Sequence, residues 1–155
     1  HELLPQVFAW ARNAGPSQPL TSGVWAAGAL FDDSLAVIQI ENSDVISFHD
    51  YQTPEAFEAK LLELPRDRPL FLTEFMARTP GSTFEGILPM AKREKIASYC
   101  WGLVAGRSQT LFPWDSWANP YIEVPPDPWF HDVFHTDGTP YRESEVDFLK
   151  NITGK

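Results

Sequence analysis

Glu74 stands near the end of Pro69-Leu-Phe-Leu-Thr-Glu-Phe75, a short apolar run of β-branched and aromatic residues. An ionised acid inside an apolar core is heavily penalised, so a carboxylate carried out of a buried strand must face water or a ligand. In that position it has the chemistry of a nucleophile or a general base. Upstream, Asp44-Val-Ile-Ser-Phe-His-Asp-Tyr51 ends in a second set of reactive groups. Alternate spacing turns His49 and Tyr51 to one side of the strand end and Asp50 to the other. An imidazole and a phenol beside a carboxylate tune its proton affinity and hydrogen-bond a ligand hydroxyl. The plainer alternatives are an ion pair of Glu74 with Arg78 or Arg107, and a core role for His49.

Indoles occupy comparable positions. Trp101 follows the apolar run Ile96-Ala-Ser-Tyr-Cys100, and Trp25 ends Pro19-Leu-Thr-Ser-Gly-Val-Trp25. An indole face at a strand end is a natural floor for the apolar face of a sugar ring. This role suits Trp101, whereas Trp25 reads as core or rim. Trp114 lies in Thr110-Leu-Phe-Pro-Trp-Asp-Ser-Trp117, within a long loop of the kind that carries binding residues, or equally as part of a packed lid. His131 and His135 have the four-residue spacing of a helical metal pair, but no third ligand follows them, and neither metal nor cofactor is expected. The chain has no Gly-rich phosphate loop and no G-x-S-x-G elbow. Its lone Cys100 reads as a small buried hydrophobe.

Elements that would position these residues alternate along the chain. Helical periodicity over Glu2–Asn13 ends at Gly15-Pro16, and Pro19–Trp25 reads as a short strand. Asp32-Asp33-Ser34 caps a helix to about Glu41, followed by a strand over Val45–Phe48. Thr53-Pro54 opens a helix that runs to Pro65 and precedes the Glu74 strand. Ser82 is the expected cap of the next helix, which carries Pro89 in its middle and leads into the strand Ile96–Gly102. Val104–Tyr141 is irregular and rich in Trp and Pro, and a last helix over Ser144–Ile152 stops at Gly154. Strands alternating with helices predict right-handed crossovers and a parallel sheet.

Composition limits the classes. With 155 residues, 43% of them hydrophobic, the chain reads as one α/β domain, too short for a complete eight-stranded barrel of roughly 200 residues or more. A net charge of −9 without a Lys/Arg cluster argues against nucleic acid as partner. No apolar run reaches the roughly 18 residues of a membrane span, so no membrane partner is expected.

The ordered set His49-Asp-Tyr51, Thr73-Glu74-Phe75 and Trp101-Gly102 resembles the second half of the retaining (β/α)8 glycoside hydrolases, whose catalytic acids sit on strands four and seven. Arg12–Trp25, Ser43–Tyr51, Trp129–Phe134 and Asp137-Gly-Thr-Pro-Tyr141 are similar to a bacterial cellulase-like or xylanase-type branch. The resemblance implies half of a (β/α)8 TIM barrel, strands five to eight, with four parallel strands and flanking helices. It implies a carbohydrate ligand, Glu74 as nucleophile, His49 and Tyr51 as its hydrogen-bonding neighbours, and Trp101 as the platform under the sugar at the cleavage point. Trp25 and Trp114 are further candidates for stacking on sugar.

The family's acid/base Glu, which follows an Asn on strand four, is expected N-terminal to His1, so the chain alone is expected to be inactive or weak. A half-barrel also exposes two strand edges, and closure by a homodimer or by a complementary N-terminal half-barrel is expected. In a homodimer the second Trp101 would stand where the acid/base belongs, and the two Glu74 would face each other across the barrel. The parent protein is expected to be secreted or periplasmic. The competing readings are a non-catalytic carbohydrate-binding or structural half-barrel, and an unrelated α/β hydrolase or isomerase using Glu74 as base.

Overall fold

A computed structural model describes residues 1–25 and 32–155. Helices and strands alternate as α1 (Leu3–Asn13), β1 (Gly23–Val24), α2 (Ser34–Asn42), β2 (Ile46–His49), α3 (Pro54–Glu63), β3 (Leu70–Phe75), α4 (Phe84–Arg93) and β4 (Ala97–Cys100). The strands form one sheet in the order β1-β2-β3-β4, and every neighbouring pair is parallel. This is the expected half-barrel-like α/β arrangement. A 3-10 turn over Trp114–Trp117 and helix α5 (Glu143–Thr153) complete the described elements. Among the described residues no helix is long and apolar enough to cross a membrane.

Local chemistry explains most of the boundaries. Asp33 Oδ1 accepts the Leu35 N–H at 2.8 Å and so starts α2. Thr53 caps α3 ahead of Pro54, whose missing N–H costs nothing in the first turn. The cap of α4 is Thr83 rather than Ser82, because the Ser82 hydroxyl is buried and accepts the Met76 N–H at 3.2 Å. Helix α4 continues through Pro89 to Arg93. Gly154 closes α5 with φ of 75°, a left-handed conformation that carries no Cβ penalty in glycine.

Strand β1 is shorter than the expected Pro19–Trp25 because side chains take the backbone groups ahead of it. Leu20 N–H donates to Asp44 Oδ2 at 2.8 Å, and Ser22 N–H to Ser43 Oγ at 3.2 Å.

The core lies between the sheet and its helices. Ile46 and Phe48 of β2 stand in register with Leu70 and Leu72 of β3, and all four pack with Phe57, Leu61 and Ile87 from the helices. Fully burying side chains of this size stabilises by roughly 1.5–3 kcal/mol each. Alternation turns Phe71 and Thr73 of β3 to the opposite face, where both are only half-buried. On β4 no residue is fully buried, and Tyr99 is 58% exposed.

The long segment between β4 and α5 is fastened by Arg78, which follows β3. Its guanidinium forms a bidentate pair with Glu145 of α5 at 2.8 and 2.5 Å. It also donates to the carbonyls of Trp129 at 2.8 Å and Asp132 at 3.0 Å, and lies 4.9 Å from the Tyr141 ring centroid. Arg78 is therefore committed to Glu145 and is not the partner of Glu74 that its sequence position allowed. Removing one member of a buried pair strands the other charge, at a cost of about 3–5 kcal/mol, whereas an apolar replacement of both is often near neutral. Urea unfolding is expected to show a large loss for Arg78→Ala and for Glu145→Ala. The double variant Arg78→Met/Glu145→Leu should retain more stability than either single variant; if its loss equals the sum of the two, the pairing argument fails.

Candidate functional site

The residues expected at the strand ends meet at one end of the sheet. Strict alternation would place Glu74 on the face of Leu70 and Leu72, against the helices. The register prevents this: Phe48 pairs with Leu72 but His49 pairs with Glu74, so Thr73 and Glu74 together oppose a single step of β2. Such a bulge re-aims the side chains that follow it. The Thr73 hydroxyl donates to the Phe48 carbonyl at 3.1 Å and holds the irregularity. Phe75 then returns to the core with 1% exposure.

Glu74 is left with a quarter of its side chain exposed. Tyr51 Oη donates to Glu74 Oε2 at 2.7 Å, and His49 Nδ1 lies 3.5 Å from the same oxygen. That second distance is a contact rather than a good hydrogen bond. Burial and then the neighbouring Glu74 carboxylate push the Tyr51 phenol well above its ordinary pKa, so Tyr51 remains a neutral donor. Among the described residues Oε1 has no hydrogen-bond partner and is the oxygen left for chemistry. Asp50 points the other way, as its spacing requires, and forms an ion pair with Lys60 Nζ at 2.7 Å. Both of its partners are inside the protein: Oδ1 also accepts the Gln52 N–H at 2.9 Å.

Aromatic rings pack around the Tyr51 and His49 that flank this carboxylate. Trp25 is on the rim, 57% exposed, with its ring 6.1 Å from Tyr51 and 6.3 Å from His49. Trp114 meets Tyr51 edge-on at 5.2 Å, Phe130 at 4.8 Å and His131 at 6.1 Å. Trp101 follows β4, its N–H bonded to the Phe75 carbonyl at 2.9 Å, and is nearly half exposed. Two cavities flank the site. One, of about 430 Å³, is lined by Trp25, Tyr51, Gln52, Lys60 and Trp114. The other, of about 230 Å³, is lined by Trp101, Thr110, Trp114, Trp117 and His131. Glu74 lines neither wall itself; its partner Tyr51 lines the larger cavity and touches the smaller one only through Trp114 and His131. The six candidates Trp25, His49, Tyr51, Glu74, Trp101 and Trp114 thus gather at one end of the sheet.

His131 has a structural partner that its spacing to His135 does not indicate. Residues 130–135 are not helical, and His135 packs on Trp129 at 4.5 Å, away from His131. His131 is 2% exposed, and its Nδ1 is 2.6 Å from the Met76 carbonyl oxygen. A carbonyl only accepts, so Nδ1 carries the proton and the neutral ring keeps its lone pair on Nε2. Met76 needs the anchoring: it is a non-glycine residue with φ of 78°, a conformation that costs of order 1–3 kcal/mol. Behind this ring, Asp132 is fully buried, with Oδ1 accepting from Thr110 Oγ1 at 2.7 Å and Oδ2 without a hydrogen-bond partner among the described residues. Gly102, at φ of 81°, allows the close approach, since a Cβ there would meet His131 Cβ at 2.7 Å and Asp132 Oδ1 at 2.9 Å. The sequence signal for this cluster is the dense aromatic character of Trp129–Phe134, which carries one acid, Asp132.

Comparison with protein-family models, with curated proteins and with solved structures finds nothing that matches this chain. Function is therefore argued from the geometry.

The Cys100 thiol is partly buried beside the same cluster, and burial raises its pKa, which leaves it protonated and unreactive. For His131 burial acts in the opposite direction and holds the pKa below its ordinary value. The unfolded chain takes up a proton on this side chain below about pH 6.5, whereas the folded ring resists it. Stability is thus fully present above that pH and is lost as pH falls toward the depressed folded value. The urea midpoint should drop between about pH 7.5 and 5.5 more steeply for the wild type than for His131→Gln, which keeps an N–H donor for Met76. Parallel curves would refute the assignment.

Proposed function

We propose that this chain is the nucleophile-bearing half of a retaining β-glycosidase acting on plant-type poly- or oligosaccharide, with Glu74 as the nucleophile. The observation that carries this reading is the arrangement around the carboxylate: Oε2 held by Tyr51 at 2.7 Å, Oε1 without a hydrogen-bond partner among the described residues, and the indoles of Trp25 and Trp114 packed on Tyr51. Oε1 would attack the anomeric carbon, forming a glycosyl ester as the bond to the leaving oxygen breaks and its electron pair departs with that oxygen. Tyr51 fixes the attacking group, and Trp101, Trp25 and Trp114 offer apolar faces to sugar rings.

Retention requires a second carboxyl group about 5–5.5 Å from the nucleophile to protonate the leaving group. Asp50 is engaged with Lys60, and Asp132 is buried against Thr110, so neither is free for that role. We assign the acid/base to a complementary N-terminal half-barrel that pairs with the β1 and β4 edges; a second copy would close the barrel but bring its Trp101 to the place of the acid/base. The sparse cover on Phe71 and Tyr99 supports such closure. The single available carboxylate also favours a second reading, a carbohydrate-binding half-barrel without turnover.

A leaving group that needs no proton separates the two. With a dinitrophenyl 2-deoxy-2-fluoro-β-cellobioside, the departing phenolate is stable, so a lone nucleophile is sufficient. Peptide mass mapping should find a fluoroglycosyl ester on Glu74 that is absent from Glu74→Gln. Failure to label Glu74, with oligosaccharide binding retained in both proteins, would leave the binding module in its place.

A further inference from the structure

The smaller cavity holds a feature that nucleophilic chemistry at Glu74 does not use. His131 is 2% exposed and spends Nδ1 on the Met76 carbonyl, and among the described residues Nε2 has no hydrogen-bond partner. The ring nonetheless lines the cavity of about 230 Å³ whose walls include Trp101, Thr110, Trp114 and Trp117. A nitrogen lone pair held at the floor of a pocket by a ring that is otherwise buried is a directed acceptor. Its lock is geometric: the Met76 bond fixes the tautomer, and the tight seat against Gly102 fixes the ring.

We propose that this cavity is a second sugar subsite, separate from the sugar at the cleavage point, in which His131 Nε2 accepts a hydroxyl of the adjoining pyranose and Trp117 covers its apolar face. The inference rests on the glycosidase reading of Glu74 and names the next ring of the same ligand.

Size and chemistry both favour that occupant. Pockets for drug-sized ligands run roughly 300–1,000 Å³, so about 230 Å³ suits one compact ring. The walls combine indole faces with short polar groups, and no charged side chain lines them. This excludes a preference for anionic sugars or phosphate and fits a neutral polyol. Trp117 is 96% exposed and packs against little of the protein, which a structural tryptophan would not do. Depressed basicity keeps the imidazole neutral, so that it accepts rather than donates.

The test uses the full chain titrated with glucose and cellotetraose and followed by tryptophan fluorescence, with xylotetraose as the alternative neutral chain. Trp117→Ala should bind a tetraose about tenfold more weakly while its glucose affinity, which needs only the ring at the cleavage point, stays near wild type. His131→Leu should lose about tenfold for a tetraose in the same selective way, and a retained glucose affinity certifies the fold despite the stability lost with the Met76 bond. If His131→Leu does not fold, Trp117→Ala decides the matter, since an exposed side chain is not needed for folding. A wild-type protein that binds neither tetraose overturns both this inference and the carbohydrate reading on which it rests. A wild type that binds, with Trp117→Ala binding equally well at both chain lengths, overturns the second subsite alone.

Discussion

The bulge at Thr73–Glu74 is the constraint on which the site depends. A regular strand would have pointed Glu74 into the packed layer between sheet and helices, where its charge would be costly to bury. Slipping one residue against β2 releases the carboxylate toward Tyr51 and His49 and returns Phe75 to the core. Hydrophobic burial and functional display are thereby reconciled in consecutive residues. The hydroxyl of Thr73 on the Phe48 carbonyl stabilises that compromise, and Tyr51 orients what it exposes.

A second constraint acts through the long segment after β4. That segment has little regular structure, so side chains must hold it. Arg78 reaches from the end of β3 to α5 and to the carbonyls of Trp129 and Asp132. His131 ties the same stretch to Met76, two residues beyond Glu74. The aromatic walls are consequently referenced to the strand that carries the carboxylate, and their position does not depend on the intrinsic stiffness of a loop.

Much of this was legible in the residues. Alternating apolar runs and helical stripes announced the parallel sheet, and caps such as Asp33 and Thr53 were readable because their partners lie two or three residues away. Strand-end chemistry at Glu74, His49 and Tyr51 was equally visible. What escaped reading depends on distant partners. The bulge is decided by pairing between strands, the retreat of β1 by Asp44 and Ser43, and the cap of α4 by Met76 drawing away Ser82. Arg78 and Glu145 are 67 residues apart, so nothing local distinguishes that pair from the alternative with Glu74. For His131 the contact that counts, with the Met76 carbonyl, lies 55 residues away and leaves no local trace.

Trp114 contacts Tyr51 on one side and His131 on the other, and it contributes to the walls of both cavities. It arrives on the irregular segment, whereas the carboxylate arrives on the sheet. On the proposed glycosidase reading, reactivity and selectivity are thus encoded in different stretches of polypeptide that meet at Trp114. Such modularity would let natural variation, or a protein engineer, graft new recognition onto the 104–141 stretch while the Glu74 carboxylate keeps its aim.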